Sequence, residues 1–265
     1  MGKQAAQDCN AHAELRFRGF KVCRMLALRH PESCLAIHTT SSKLPMPVLR
    51  RRPLAWLKYH TARLTRARSS WLSFGYTPAD VVPWGGNDQD TGPSAYQDMG
   101  SSIPSVRYAQ RPQTTAYALC DSPVGLLASM LDVLYTSSDA YTWTPREIIN
   151  WTMMQWLPGP EAGLRWLRQV QTETPSLWDI YSAVPLGISQ FKAVGETSSP
   201  PPWAAAFQNL RWVKRHERFA RCPAWDAPEQ LVIDVRDFVR EMINAQQIRF
   251  RDQDEQSAAA SLNAS

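Results

Sequence analysis

Apolar residues near the start of the chain recur at helical spacing and then run together. Val22, Met25 and Leu26 share one face of a predicted helix that ends before Pro31. A short apolar run over residues 34–38 follows and predicts a buried strand. A helix that leads directly into a buried strand is typical of an α/β sheet.

The middle of the chain has a helical pattern, from about residue 122 to 171. Two helix starts are marked by capping residues followed by proline: Asp121 or Ser122 with Pro123, and Thr144 with Pro145 and Glu147. The second start is close to a capping box, in which the Thr and Glu side chains each bond to backbone N–H groups.

The pattern returns to α/β after Pro175. Residues 183–191 and 209–215 predict strands, with a short helix between them over 200–207. A final amphipathic helix over 228–242 is expected to pack on the sheet through six apolar residues, namely Leu231, Val232, Val235, Phe238, Val239 and Met242. The predicted fold class is therefore α/β, interrupted by a helical insertion.

Five regions are expected. They are an α/β core segment (1–40), an irregular basic connector (41–100), a helical cap (101–175), the C-terminal part of the α/β core (176–245) and a flexible tail (246–265). Twenty prolines against twelve glycines indicate that long uninterrupted elements are few.

Composition favours a folded chain with a sizeable core. The 265 residues are 44% apolar and include 11 tryptophans. The five cysteines have no CxxC spacing, which favours reduced thiols and no metal site. The sequence shows neither a signal peptide nor a run of 18 apolar residues, so we expect a cytoplasmic protein.

Positive charge is concentrated between residues 43 and 68, where eight Lys or Arg residues and no acidic residue occur among aromatic and leucine side chains. One interpretation is a solvated surface helix and loop. The other is peripheral contact with an anionic membrane through residues 43–71. No nucleic-acid binding is expected, because no recognised binding module accompanies the charge.

Several motifs in the chain resemble those of epoxide hydrolases of the α/β-hydrolase superfamily, in particular the microsomal-type enzymes and their fungal counterparts. The most specific is Asp-Ser-Pro-Val-Gly-Leu over residues 121–126. The other similar segments are residues 19–38, 111–120, 143–147, 156–165, 184–189 and 223–229.

The resemblance implies an α/β-hydrolase sheet with a helical cap and hydrolysis of a hydrophobic epoxide to a vicinal diol, with a role in secondary metabolism as one setting. In this family an aspartate forms an ester with the substrate, and a histidine–acid pair activates water to release it. Two cap tyrosines donate protons to the epoxide oxygen. No metal or organic cofactor is implied.

The resemblance also gives the positions of the nucleophile and the base. The nucleophile position is Phe17, which has no nucleophilic oxygen, and the nearest upstream carboxylate is Glu14. The base position is Arg221, whose guanidinium stays protonated at neutral pH. His216 is the nearest histidine, and a strand-end or surface role is favoured over that of a relocated base.

The remaining family roles are also altered. Glu196 lies beside the position of the orienting acid. The two cap tyrosine positions are Pro104 and Gln155, and Tyr108 is a nearby substitute for the first. No catalytic residue is therefore assigned with its family identity.

The resemblance begins at the helix after the nucleophile, so the front half of the family's sheet has no counterpart. We expect an incomplete α/β-hydrolase sheet with an exposed edge, so either another chain covers it, a second copy in a homo-oligomer being one candidate, or the fold is unstable. Three hypotheses remain: an epoxide hydrolase-like enzyme, an inactive relative that binds a hydrophobic small molecule or a partner, and a degenerate fragment or gene-model artefact.

Overall fold

The structure is a computed structural model that describes residues 19–40, 44–69, 71–81, 111–138, 141–192 and 199–245. The helices are α1 (19–29), α2 (Pro53–Leu64), α3 (Pro78–Val81), α4 (Pro112–Asp121), α5 (Pro123–Ser137), α6 (Pro145–Trp156), α7 (Pro160–Leu177), α8 (Pro223–Asp226) and α9 (Pro228–Asn244). The strands are β1 (Ile37–Thr39), β2 (Ser182–Lys192) and β3 (Gln208–Phe219), and a 3-10 helix spans Pro201–Ala206.

Proline begins each helix from α2 onward, including the 3-10 helix. Proline suits this position because its fixed φ matches the helix and its missing N–H would have had no intrahelical partner. The prolines therefore mark where these helices start. The longest described helix, α7, has 18 residues.

The three strands form a parallel sheet in the order β1-β2-β3. The central strand β2 is buried from residue 184 to 189, as expected for a parallel strand covered on both faces. On one face Ile37, Leu186 and Ile188 join a core with α1 and the 3-10 helix, and on the other face α9 packs. The predicted α/β fold class is confirmed.

The contact between β2 and α9 depends on Gly187. A Cβ atom at this position would lie 2.8 Å from the ring of Phe238 on α9. The absence of a side chain lets the helix lie close to the sheet. The two rings that flank this contact belong to His38 and Trp212, whose centroids are 5.6 and 6.1 Å from that of Phe238.

Both predicted helix caps are confirmed. The Ser122 hydroxyl accepts a hydrogen bond from the Gly125 N–H at 2.9 Å. Thr144 and Glu147 form a complete capping box, with the Glu147 carboxylate accepting from the Thr144 N–H at 2.9 Å. In the cap region α4 packs on α7 and α5 packs on α6.

The predicted core face of α9 is wrong in part. Phe238 and Met242 are buried, but Val232 and Val235 are exposed and the carboxylate of Asp234 is completely buried. The sequence pattern counted apolar residues only, whereas the buried face is centred on Asp234, Phe238 and Met242 at four-residue spacing. Polar partners on β2 and β3 make this burial favourable.

Arg24 on α1 is a completely buried cation that joins elements far apart in sequence. Its guanidinium donates to the carbonyl oxygens of Leu177 at 2.9 Å, Ile180 at 2.7 Å and Phe207 at 3.3 Å, and it stacks on Trp178. Burial, with the nearby Arg52 adding to it, lowers the pKa of Arg24 to about 10, so the group stays charged at neutral pH.

No single described helix is long and apolar enough to cross a membrane. One pair of helices, α4 and α5, meets the length and composition criteria jointly, and its two members are bent by 114° relative to each other.

Replacing Arg24 with Met is expected to lower the free energy of unfolding by roughly 2–4 kcal/mol, because the buried carbonyl groups lose charged donors and keep no substitute. Denaturant unfolding followed by circular dichroism measures the effect. The matched control is Arg29→Met on the same helix, where the side chain is exposed. Equal stability of the two variants would contradict the role of Arg24.

Candidate functional site

The carboxyl ends of the parallel strands meet at one edge of the sheet. There the Ala220 N–H, just after β3, donates to the carbonyl of Lys192 at the end of β2, at 2.9 Å. Phe191, Ala220 and Ala227 form a small buried cluster at the same place. Crevices outside the carboxyl ends of parallel strands are the usual ligand sites of open α/β sheets. This edge is therefore the candidate site.

Asp226 fixes the segment that follows β3 against the cap. Its buried carboxylate accepts from the Ser138 hydroxyl, just after α5, at 2.5 Å and from the Cys222 N–H at 2.9 Å. The Arg218 guanidinium donates to the Asp226 carbonyl oxygen at 2.5 Å. These bonds hold residues 220–227 between the sheet edge and the cap helices.

Trp225 packs into the cap from the same segment. Its ring centroid lies 5.0 Å from Tyr141, 4.8 Å from Trp143 and 6.4 Å from Trp151. The Trp143 N–H donates to the Leu134 carbonyl at 3.0 Å, so this polar group is satisfied inside the cluster. Trp225 thus joins the segment after β3 to the packed aromatic core of the cap, in which Trp143 is 5% exposed.

Three of the residues singled out in the sequence are described. Arg221 lies in the loop directly after β3, at the carboxyl edge, and is half-buried. Gln155 lies near the end of α6 and is exposed. His216 lies within β3 and its side chain is 13% exposed. Outside the described residues lie Phe17, Glu14, Pro104, Tyr108 and Glu196.

His216 belongs to a polar cluster between the sheet and α9 that was not among the predicted features of the chain. The carboxylate of Asp234 accepts from Ser189 at 2.7 Å and from His216 at 2.6 Å, and it pairs with the Lys214 ammonium at 2.8 Å. His38 on β1 lies 3.1 Å from the Ser189 hydroxyl. One carboxylate thereby links all three strands to α9.

The proton arrangement in this cluster differs from that of a Ser-His-Asp triad. In a triad the histidine stands between serine and aspartate, so that it can take the serine proton. Here Asp234 stands between Ser189 and His216, and the single hydroxyl proton of Ser189 is donated to Asp234. Nε2 of His38 must then carry a proton to bond Ser189. Ser189 is also fully buried, so the cluster holds the fold together and does not attack a substrate.

The pKa directions agree with this arrangement. Burial alone would raise the pKa of Asp234, but hydrogen bonds from Lys214, Ser189 and His216 outweigh it and lower that pKa. The hydrogen bond to Asp234 raises the pKa of Lys214, with burial opposing. Burial lowers the pKa of His38 despite the nearby carboxylate, so this imidazole is neutral at neutral pH.

A sequence signal for the cluster did exist. Asp234 lies three residues after Leu231 and four before Phe238, within the apolar stripe of α9. Ser189 similarly ends the apolar run of β2. A lone polar residue inside an apolar stripe indicates a buried hydrogen-bond network, because burial without partners is costly.

Metal binding finds no support in the described residues. Among them, no three His, Cys, Asp or Glu side chains lie together as a metal-binding group. The candidate site at the carboxyl edge is built from an arginine, an aspartate engaged in structural hydrogen bonds, and aromatic side chains. Such a set of side chains suits an uncharged hydrophobic ligand better than a cation.

No protein-family model and no curated protein matches the chain. Solved structures do match. The juvenile hormone epoxide hydrolase of the silkworm Bombyx mori has a TM-score of 0.59 at 18% identity, over 84% of this chain and 52% of that chain. The epoxide hydrolase of Aspergillus niger has a TM-score of 0.49 at 21% identity, over 82% of this chain and 49% of that chain. An enantioselective mutant of the Aspergillus niger enzyme has a TM-score of 0.50 at 20% identity, over 82% of this chain and 48% of that chain.

The likeness to these structures is one of fold. The chain spans about half the length of the epoxide hydrolases it matches. Three parallel strands, a cap of helices between β1 and β2, and α9 after β3 agree with part of an α/β-hydrolase fold. The expected incomplete α/β-hydrolase sheet with a helical cap insertion is confirmed.

Replacing Asp234 with Asn is expected to lower the free energy of unfolding at neutral pH by roughly 2–3 kcal/mol, since the donors around it lose a charged acceptor. The pKa of the folded carboxyl is depressed, so its stabilisation is present above the unfolded value of about 3.9 and is lost as the pH falls through the folded value. The variant should therefore lose stability less steeply than the wild type below about pH 4.

Chemical denaturation at a series of pH values measures both effects. The control is Asp237→Asn, a neighbouring carboxylate on α9 that also pairs with Lys214 but is 42% exposed. It should change stability by less than about 1 kcal/mol. If the two variants had the same stability and the same pH dependence, the Asp234 cluster would not hold the sheet to α9.

Proposed function

We propose that this chain is an epoxide hydrolase-like α/β-hydrolase that receives a hydrophobic epoxide at the carboxyl edge of its sheet. The family reaction is hydrolysis of such an epoxide to a vicinal diol through an ester intermediate. The observation that carries the proposal is the fold match over 84% of the chain to an epoxide hydrolase structure. The motif resemblance over residues 121–126 points to the same family.

The local geometry supports the position of the ligand. Residues 220–227 follow the last strand, are fixed by Asp226, and present Trp225 to the cap. The N-terminal end of α1 and the loops after β2 and β3 are the places where the resemblance puts nucleophile, acid and base. The cap residues packed against this segment are aromatic and apolar, which favours an apolar substrate over a charged one.

Arg221 favours a second candidate function, a catalytically inactive relative that binds the hydrophobic ligand without hydrolysing it. The resemblance assigns this position, directly after β3, to the histidine that deprotonates water. A guanidinium has no acceptor and cannot be deprotonated near neutral pH, so it cannot be a general base. It can donate hydrogen bonds to the oxygen of an epoxide or a diol.

Gln155 points to the same second candidate. The resemblance gives this position to a cap tyrosine that protonates the epoxide oxygen as the ring opens. A glutamine amide donates a hydrogen bond but releases no proton at neutral pH. Ring opening to an alkoxide is then unassisted at this position.

Incubation of the purified full chain with aryl and terpenoid epoxides separates the two functions. Under either function, a bound epoxide should raise the melting temperature of the protein. A ligand that binds only the folded state raises the free energy of unfolding, by about 2.7 kcal/mol at a ligand concentration of 100 times Kd. Chromatography of the products measures diol formation. Diol release identifies the enzyme, and binding without diol identifies the inactive relative.

One variant and one control make the test specific. Diol formation that disappears in Glu14→Ala but persists in His30→Ala would identify Glu14 as a replacement catalytic group. His30 is a suitable control because it is exposed and far from the carboxyl edge in sequence. A cooperatively melting protein that neither binds nor hydrolyses any hydrophobic epoxide would contradict the proposed function.

A further inference from the structure

The surface formed by α2 and the residues after it combines exposed apolar side chains with positive charge. On α2, Leu57 follows Leu54 by three residues and Leu64 follows Leu57 by seven, so the three side chains lie on one face of the helix. They are 74%, 54% and 86% exposed. Trp71 is 81% exposed and Phe74 is 42% exposed. We call Leu54, Leu57, Lys58, Leu64, Arg66, Trp71 and Phe74 the α2 surface.

The charge around this surface is mostly positive, and the nearby carboxylate of Asp80 pairs with Arg215. Residues 44–79 contain seven Lys and Arg and no Asp or Glu. Arg51 pairs with Asp179, which lies outside this segment. Lys58 lies 5.9 Å from the Phe74 ring centroid, so a cation and an aromatic ring stand side by side on the surface. Arg66 is exposed just after the end of α2.

A groove of about 900 Å³ adjoins the α2 surface. Its walls include Leu54, Lys58 and Phe74 together with Arg52 and Tyr76. Cationic and apolar lining residues together fit a molecule with an anionic head and an apolar tail. The groove lies beside α2, the 3-10 helix and β3, and shares no lining residue with the 220–227 segment of the candidate site.

We propose that the α2 surface binds anionic lipid membranes. Its exposed leucines and Trp71 enter the boundary between headgroups and acyl chains, as amphipathic interfacial helices do. Lys58 and Arg66 are attracted to anionic headgroups, and tryptophan is favoured at this depth because its ring is amphipathic. Charge complementarity selects an anionic membrane over a neutral one. This membrane contact does not depend on epoxide hydrolysis.

Vesicle sedimentation tests the proposal with the full chain. Phosphatidylcholine vesicles containing roughly 30% phosphatidylserine should bind the protein at least about tenfold more tightly than phosphatidylcholine alone. Binding should weaken as salt is raised, since the surface charges are screened. Lys58→Gln combined with Arg66→Gln should weaken binding to the anionic vesicles by about tenfold or more.

The apolar contribution is tested by Leu57→Ser combined with Leu64→Ser, which should lower binding by about tenfold or more. The matched control is Val232→Ser combined with Ile233→Ser, an exposed apolar pair on α9. Melting curves establish that all variants fold. Equal loss in the α9 control, or equal binding to both kinds of vesicle, would overturn the proposal. So would a wild-type dimer that dissociates in the Leu57/Leu64 variant, because the surface would then pair two copies of the chain.

Discussion

One buried carboxylate unites the described α/β core. Asp234 on α9 accepts hydrogen bonds from Ser189 on β2 and His216 on β3, and through Ser189 it is linked to His38 on β1. A carboxylate in this position is favourable only because several donors surround it. The same contact sets the rotation of α9 on the sheet, so Phe238 lies over Gly187 while neighbouring valines remain exposed.

The interior of the sheet and its carboxyl edge therefore have different roles. The polar groups of the sheet are engaged in structural bonds in its interior, which leaves the carboxyl edge to be defined by the segment after β3 and by the cap. Asp226 and Trp225 fix that segment, and Arg221 stands within it. The edge therefore combines an ordered segment with the Arg221 guanidinium, which is a hydrogen-bond donor rather than a base.

Local signals predicted most of the elements, because capping and proline placement are encoded within a few residues. Ser122 and Thr144 are examples, and both caps form as their sequences indicate. The Asp234 cluster escaped prediction because its partners lie 18 to 45 residues away in the chain, and apolar periodicity gives them no weight. Arg24 escaped for the same reason, since its acceptors are carbonyl groups more than 150 residues away. Hydrogen bonds between polar groups that are distant in sequence fix how the helices are rotated and positioned on the sheet, which local sequence patterns do not determine.

The indole N–H signals in nuclear magnetic resonance spectra report whether a hydrophobic epoxide binds at the carboxyl edge of the sheet. On titration with an aryl epoxide, the signals of Trp225 and Trp143 should shift together, because Trp225 belongs to the segment at that edge and its ring contacts Trp143 at 4.8 Å. The signal of Trp203, which packs against Tyr59 of α2, should stay in place. Shifts confined to Trp203, with Trp225 and Trp143 unchanged, would place the ligand at α2 and contradict the account.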